Sequence, residues 1–208
     1  CPSRPEWHVF EGRWRPSGHN ALMRFITGPV LNEYRRCIDA RLRTDPEGSG
    51  ATILTKTREH ICDVSFREKV EREMRPMCEK RGFTSRLDAQ GGLLGFDDGL
   101  CELSGPAFRA MCPEDCVSMS VGYTFPAELT AASPEVVEVS EYLAQVMPDA
   151  AERQWLMYSL AAALNGARKK KTLWLWVGKR DSGKSTLANL VRAMLGDYHL
   201  KAPVGMLM

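Results

Sequence analysis

Eight residues, Gly178-Lys-Arg-Asp-Ser-Gly183-Lys184-Ser185, follow the spacing G-x-x-x-x-G-K-[ST]. Those residue types at that spacing are suited to holding a polyphosphate. Gly178 and Gly183 let the backbone turn tightly and approach an anion with no side chain in the way. The residues between them, Lys179, Arg180, Asp181 and Ser182, contribute mainly backbone N–H groups, an anion nest at a helix N-terminus. Lys184 is the expected catalytic residue, reaching the β- and γ-phosphates of a nucleoside triphosphate. Ser185 is the expected ligand of Mg²⁺, and Thr186 adds a contact from the first helical turn. ATP and Mg²⁺ are therefore the expected cofactors.

Such a loop works only when a strand delivers it and a helix receives it. The apolar run Leu173–Val177 reads as a buried parallel strand. After the loop, Leu187, Leu190, Val191, Met194 and Leu195 fall on one helical face, and Gly196 is a natural stop. Trp174 and Trp176 read as core beneath the loop rather than as stacking platforms for bases. Arg168–Lys171 reads as a solvated loop feeding the strand.

Two helices come just before. Ser133-Pro134-Glu135 is a helix start with proline at its first position, and Val136, Val139, Leu143 and Val146 line its face. Asp149 with Glu152 starts a second helix, with Trp155, Leu156, Leu160 and Leu164 on its face and Asn165-Gly166 at its end. Further upstream, Gly91–Ser104 reads as a hairpin turning at Asp97-Asp98-Gly99, where glycine suits a positive φ. Val117–Phe125 reads as another strand. Trp7–Trp14 reads as a small hairpin turning at Glu11-Gly12. Residues from about Asn20 to Leu42 look helical, interrupted by Gly28-Pro29, and Thr44–Ala51 reads as a loop. Asp63 is placed to cap a charged helix reaching about Lys80, supported by Glu68–Arg72 and Glu71–Arg75 pairs, with Pro76 threatening its last turn.

Charge is segmented although the net value is only +2. Residues 1–90 hold 17 basic and 13 acidic side chains, residues 91–165 hold 2 and 11, and residues 166–208 hold 9 and 2. A basic block around a phosphate loop suits polyanions, nucleotide or nucleic acid. Seven cysteines at irregular spacing suggest a reducing, intracellular compartment. No apolar stretch approaches membrane-spanning length.

Other clusters are weaker. Cys112 and Cys116, with Cys101 and Cys78 upstream, lack a second tight pair and read as ordinary thiols rather than a zinc site. His8, His19, His60 and His199 have no triad or metal spacing. Asp97-Asp98 and Glu114-Asp115 are adjacent carboxylates, poor acid/base pairs, and read as a turn and a solvated loop.

In this order of elements the chain resembles the poxvirus-type primase-helicases of large DNA viruses, whose motor is a superfamily 3 helicase. The resemblance is strongest over Leu87–Met208. It rests on Leu94, Phe96, Gly99 and Leu103; on Val121-Gly-Tyr-Thr-Phe125, which has Gly122 where the family often has proline; and on Leu195-Gly-Asp-Tyr198 after the loop helix. Trp7, Phe10, Gly12 and Trp14 extend it more loosely.

The resemblance implies an α/β fold. Residues 1–130 would form a mixed α+β accessory domain. Residues 131–208 would begin a phosphate-loop (AAA+-like) NTPase domain with a parallel sheet. It further implies an ATP-driven DNA helicase acting in replication as a homo-oligomeric, hexameric ring, with a possible primase as partner and no membrane. Such a motor also needs an acidic second strand, a polar sensor and an arginine. With 23 residues after Ser185 and Cys1 at the start, an internal fragment is expected. Alone it would bind nucleotide weakly and not hydrolyse it.

Two other readings stay open. A different phosphate-loop NTPase or kinase is disfavoured because such kinases usually open with the loop, whereas more than 170 residues precede it here. A non-catalytic relic that binds DNA or a partner is the third.

Overall fold

The computed structural model describes residues 6–18, 20–45, 48–105, 107–166, 174–203 and 205. Leu173 and the Arg168–Lys171 run lie outside them, as do Cys1, His19 and Met208. Two compact units divide the chain. One is residues 1–9 and 15–83, the other residues 10–14 and 84–208.

The first unit is mainly helical. β1 (Trp7–Phe10) and β2 (Trp14–Ser17) pair as a two-stranded sheet, with Gly12 at φ +75° in the turn between them. α1 (Ala21–Phe25) runs through a π-helical turn, Ile26–Val30, into α2 (Leu31–Thr44). Gly28-Pro29 therefore widens the helix rather than breaking it. Proline has no N–H to donate and its ring crowds the preceding turn, and one wide turn absorbs both.

α3 (Ser49–Cys62) occupies sequence that had suggested no helix, and it begins inside the expected Thr44–Ala51 loop. Its threonines obscured it: Thr55 and Thr57 donate their hydroxyls back to the Ala51 and Ile53 carbonyls, so residues of low helical preference are accommodated. α4 (Val64–Cys78) starts where expected, with the Asp63 carboxylate accepting from Phe66 N at 2.8 Å. Pro76 falls in its last turn and does not end it. Glu71 is buried and binds Arg75 at 2.6 Å. Leu22, Ile26, Leu31 and Ile61 form this unit's core, with Trp7, Tyr34, Val70 and Met74 against it. One short turn, α5 (Phe83–Arg86), ends the region.

In the second unit, β3 (Leu93–Gly95), β4 (Leu100–Glu102) and β5 (Ala107–Arg109) make an antiparallel sheet in that order. Gly95 faces Leu100, and Leu100 faces Arg109. The expected hairpin is β3–β4, but Gly99 does not take a positive φ. It is needed for room: a Cβ there would lie 2.5 Å from a Phe108 ring carbon and 2.6 Å from the Arg109 carbonyl.

The expected strand Val117–Phe125 is not one. This segment lies beside β3 irregularly, with Val121 N bonded to the Gly95 carbonyl and Asp97 N to the Tyr123 carbonyl. Side chains take its other backbone bonds: Asp88 accepts from Ser118 N and Met119 N, and Asp98 from Phe125 N. The third strand comes instead from β5, too short and too exposed to show alternation.

Phe96 anchors an aromatic cluster with Phe108, Tyr123 and Phe125, the last two phenylalanines stacked 4.4 Å apart. Three helices follow: α6 (Pro134–Val146), α7 (Ala150–Ala163) and α8 (Lys184–Leu195). Asp149 caps α7 by accepting from Glu152 N at 2.9 Å. Leu143, Leu156 and Leu187 join the three helices in one core. Trp155, expected on the buried face of α7, is 59 % exposed.

Thus the fold is mixed, with helices predominating and small antiparallel sheets. No parallel ladder occurs among the described residues.

Candidate functional site

The glycine loop runs directly into α8. Gly183 is the N-cap in the left-handed region, φ +79°, and Asp181 is left-handed too, at φ +59°. Two such residues in three fold the chain back so tightly that Lys184 reaches into its own loop. Its ammonium donates to the Gly178 carbonyl at 2.9 Å, the Lys179 carbonyl at 2.7 Å and the Ser182 hydroxyl at 2.8 Å. A Cβ on Gly178 would sit 2.9 Å from Ser182 Oγ, so glycine is required there by space.

All three acceptors of the ammonium are neutral. A phosphate oxygen would add the attraction of an opposite charge to a bond whose donor is already ionised. Gly178, Lys179, Arg180, Ser185 and Thr186 are exposed. Arg180 and Asp181 approach only to 3.8 Å and are almost wholly exposed, so that pair fixes nothing. The loop has the glycine clearances, the cation and the hydroxyl that a nucleoside triphosphate with Mg²⁺ requires.

Support from below comes from α6. Tyr142 donates its hydroxyl to the Gly183 carbonyl at 3.1 Å. Val146 lies so close that a Cβ on Gly183 would be 2.7 Å from one of its methyls. Neither residue was singled out from sequence as part of the site. Their only signal is that Tyr142 and Val146 are four apart on α6, the second helix before the motif.

The far end of α8 is fastened separately. Tyr123 donates to the Met194 carbonyl at 2.9 Å. Gly196 takes φ +50°, and its Cα packs so tightly that a Cβ would lie 2.3 Å from the Val121 carbonyl oxygen. Asp197 accepts from Ser120 N and from the Arg13 guanidinium, both at 3.1 Å. The Tyr198 hydroxyl accepts from Gly95 N at 2.9 Å and donates to the Met119 carbonyl at 3.3 Å. Burial pushes its phenol above the ordinary tyrosine value. Leu195-Gly-Asp-Tyr198 is therefore a clamp onto the β3 region. Beside it, a cavity of about 170 Å³ lies among Leu94, Val117, Leu164, Leu195 and Tyr198, smaller than the sites that hold drug-sized ligands.

Upstream of the loop the outcome differs from expectation. Residues 174–177 form no strand, and Leu175 and Val177 are 78 % and 93 % exposed. A parallel strand is hydrogen-bonded and covered by neighbours. Neither sheet among the described residues adjoins this run. Trp176 is exposed rather than core, and Trp174 meets Trp155 edge-on at 6.5 Å.

Glu114-Asp115 also departs from the expected solvated loop. Asp115 is buried and bound by the two terminal nitrogens of Arg109 at 2.7 and 2.8 Å, while Arg109 Nε reaches Glu102 at 2.7 Å. The guanidinium holds the Asp115 carboxyl well below the usual range. Cys112 donates its thiol to the same carboxylate at 3.1 Å, which raises the thiol above its ordinary value. Among the described residues no three His, Cys, Asp or Glu side chains are grouped to hold a metal ion, and no helix is long and apolar enough to cross a membrane.

The chain is similar to replication proteins of large DNA viruses. It is 26 % identical over 204 residues to an Acanthamoeba polyphaga mimivirus protein provisionally named a helicase, across 93 % of this chain and 21 % of that protein. A provisionally named helicase of Invertebrate iridescent virus 6 is 23 % identical over 204 residues, across 88 % of this chain and 21 % of that protein. A provisionally named primase of African swine fever virus is 23 % identical over 171 residues, across 82 % and 16 %. The chain thus spans about a fifth of the length of these relatives. No protein-family profile matches it. Because the first similarity covers 93 % of the chain, it extends far beyond the eight-residue loop.

Proposed function

We propose that this chain carries the nucleotide loop of an ATP-driven DNA helicase of superfamily 3. Residues 131–208 form the start of the motor and residues 1–130 its accessory domain. Lys184 binds the β- and γ-phosphates, Ser185 holds Mg²⁺, and Gly178 to Gly183 supply backbone donors, with Thr186 adding a contact. The acting form is a homo-oligomeric ring, a hexamer, on DNA, with a primase as its associated activity. Bound Mg-ATP would supply the phosphoryl chemistry that drives movement on DNA.

The observation that carries this reading is the Lys184 ammonium, drawn into a left-handed glycine loop at the N-terminus of α8 by neutral acceptors only. The viral relatives support the DNA side of it. ATP turnover by the intact protein, measured with and without single-stranded DNA, tests it. Turnover that rises with DNA and disappears in Lys184→Ala is expected. Turnover indifferent to DNA but dependent on a small acceptor would make the protein a kinase. Absence of ATP affinity would make it a DNA- or partner-binding relic.

A further inference from the structure

The carbonyl of Gly183 accepts two bonds, one from Leu187 N at 2.9 Å and one from the Tyr142 hydroxyl at 3.1 Å. The first belongs to α8 itself. The second comes from another helix and fixes the peptide plane from outside. The Gly183–Lys184 peptide is trans, so its N–H points opposite to its C=O. With the carbonyl held toward α6, the Lys184 N–H points away from α6, on the loop side of the peptide. Val146, one turn beyond Tyr142, packs under Gly183, where a Cβ would lie 2.7 Å from one of its methyls. Between them Leu143 packs on Leu187 and sets the register of α6 against α8.

We infer that Tyr142 is a positioning residue for phosphate binding, acting through the Gly183–Lys184 peptide. This inference rests on the nucleotide-loop reading above. It makes α6 part of the phosphate site although none of its side chains meets the ligand. The hydroxyl is the operative group, and the ring is packing.

Tyr142→Phe removes only the hydroxyl. The intact protein carrying it is titrated with ATP and with inorganic tripolyphosphate. One net hydrogen bond corresponds to roughly three- to tenfold in affinity. ATP and tripolyphosphate should weaken by that same factor in Tyr142→Phe, whereas Tyr198→Phe, which loses comparable hydroxyl bonds at the far end of α8, should leave both affinities at the parent value. Val146→Ala should weaken both ligands in the same direction. Affinity for both ligands within twofold of the parent in Tyr142→Phe, while Lys184→Ala still abolishes binding, overturns the inference and leaves the loop reading intact. An equal loss of affinity in Tyr198→Phe also overturns it, since the effect would then be general destabilisation. Unchanged ATP affinity in Lys184→Ala removes the reading beneath both.

Discussion

The two ends of α8 are built on opposite terms. At its C-terminal end, Tyr123, Asp197 and Tyr198 satisfy backbone groups drawn from residues 95, 119, 120 and 194. Here the backbone is saturated and closely packed. At its N-terminal end the chain takes two left-handed residues, exposes Lys179, Arg180, Ser185 and Thr186, and holds the Lys184 ammonium by neutral acceptors. One end spends side chains on fixing the helix. The other leaves charged and hydroxyl side chains exposed to something that is not protein. A site that must exchange ligands needs a fixed base and an unsaturated rim, and α8 joins the two over twelve residues.

This contrast can be broken at either end. Lys184→Ala should lower ATP affinity or turnover about a thousandfold, roughly 4 kcal/mol, while urea unfolding stays at the parent midpoint. A shifted midpoint would mean that the loop lysine also holds the fold. Gly196→Ala should do the reverse. Its φ suits glycine and its Cβ would meet the Val121 carbonyl, so a loss of about 3 kcal/mol of stability is expected in urea unfolding.

Asp115→Asn calibrates both, since it lies away from α8. Losing the charge of a buried, two-pronged pair should cost about 1–2 kcal/mol, discounted because Arg109 is partly exposed, with ATP affinity unchanged. The acid dependence has a definite sign. The folded carboxyl sits below its ordinary value of 3.8, so its contribution is complete above that pH and is lost as pH falls further. In Asp115→Asn that acid-side slope should flatten in pH-dependent unfolding. The smallest effect is expected for Tyr198→Phe, about 1 kcal/mol of stability from two exchanged backbone bonds and none of nucleotide affinity.

Sequence legibility follows the same contrast. Local rules were enough for α8 and its stop at Gly196, for the caps at Asp63 and Asp149, and for the β3–β4 turn, because each is settled within a few residues. Contacts set by distant partners were not visible. Gly99 is glycine because Phe108 and Arg109 crowd it. Val117–Phe125 has the apolar spacing of a strand, yet Asp88 and Asp98 claim its backbone. Asp115 looked like a solvated acid until Arg109 came over it. The apolar character of Leu175–Val177 predicts burial, but burial needs neighbours that the run itself does not specify. In the site, the loop was legible and Tyr142 was not: a tyrosine four residues before a valine marks countless helices.

The ion pair between Arg13 and Asp197 joins residues 184 positions apart. On a growing chain, residue 13 emerges long before its partner exists. This ion pair therefore waits until Asp197 has been made, and the long loop it closes carries a corresponding entropy cost. Completion of the second unit is timed by its last clamp, so folding of this part of the chain is expected to be late and cooperative rather than progressive from the N-terminus.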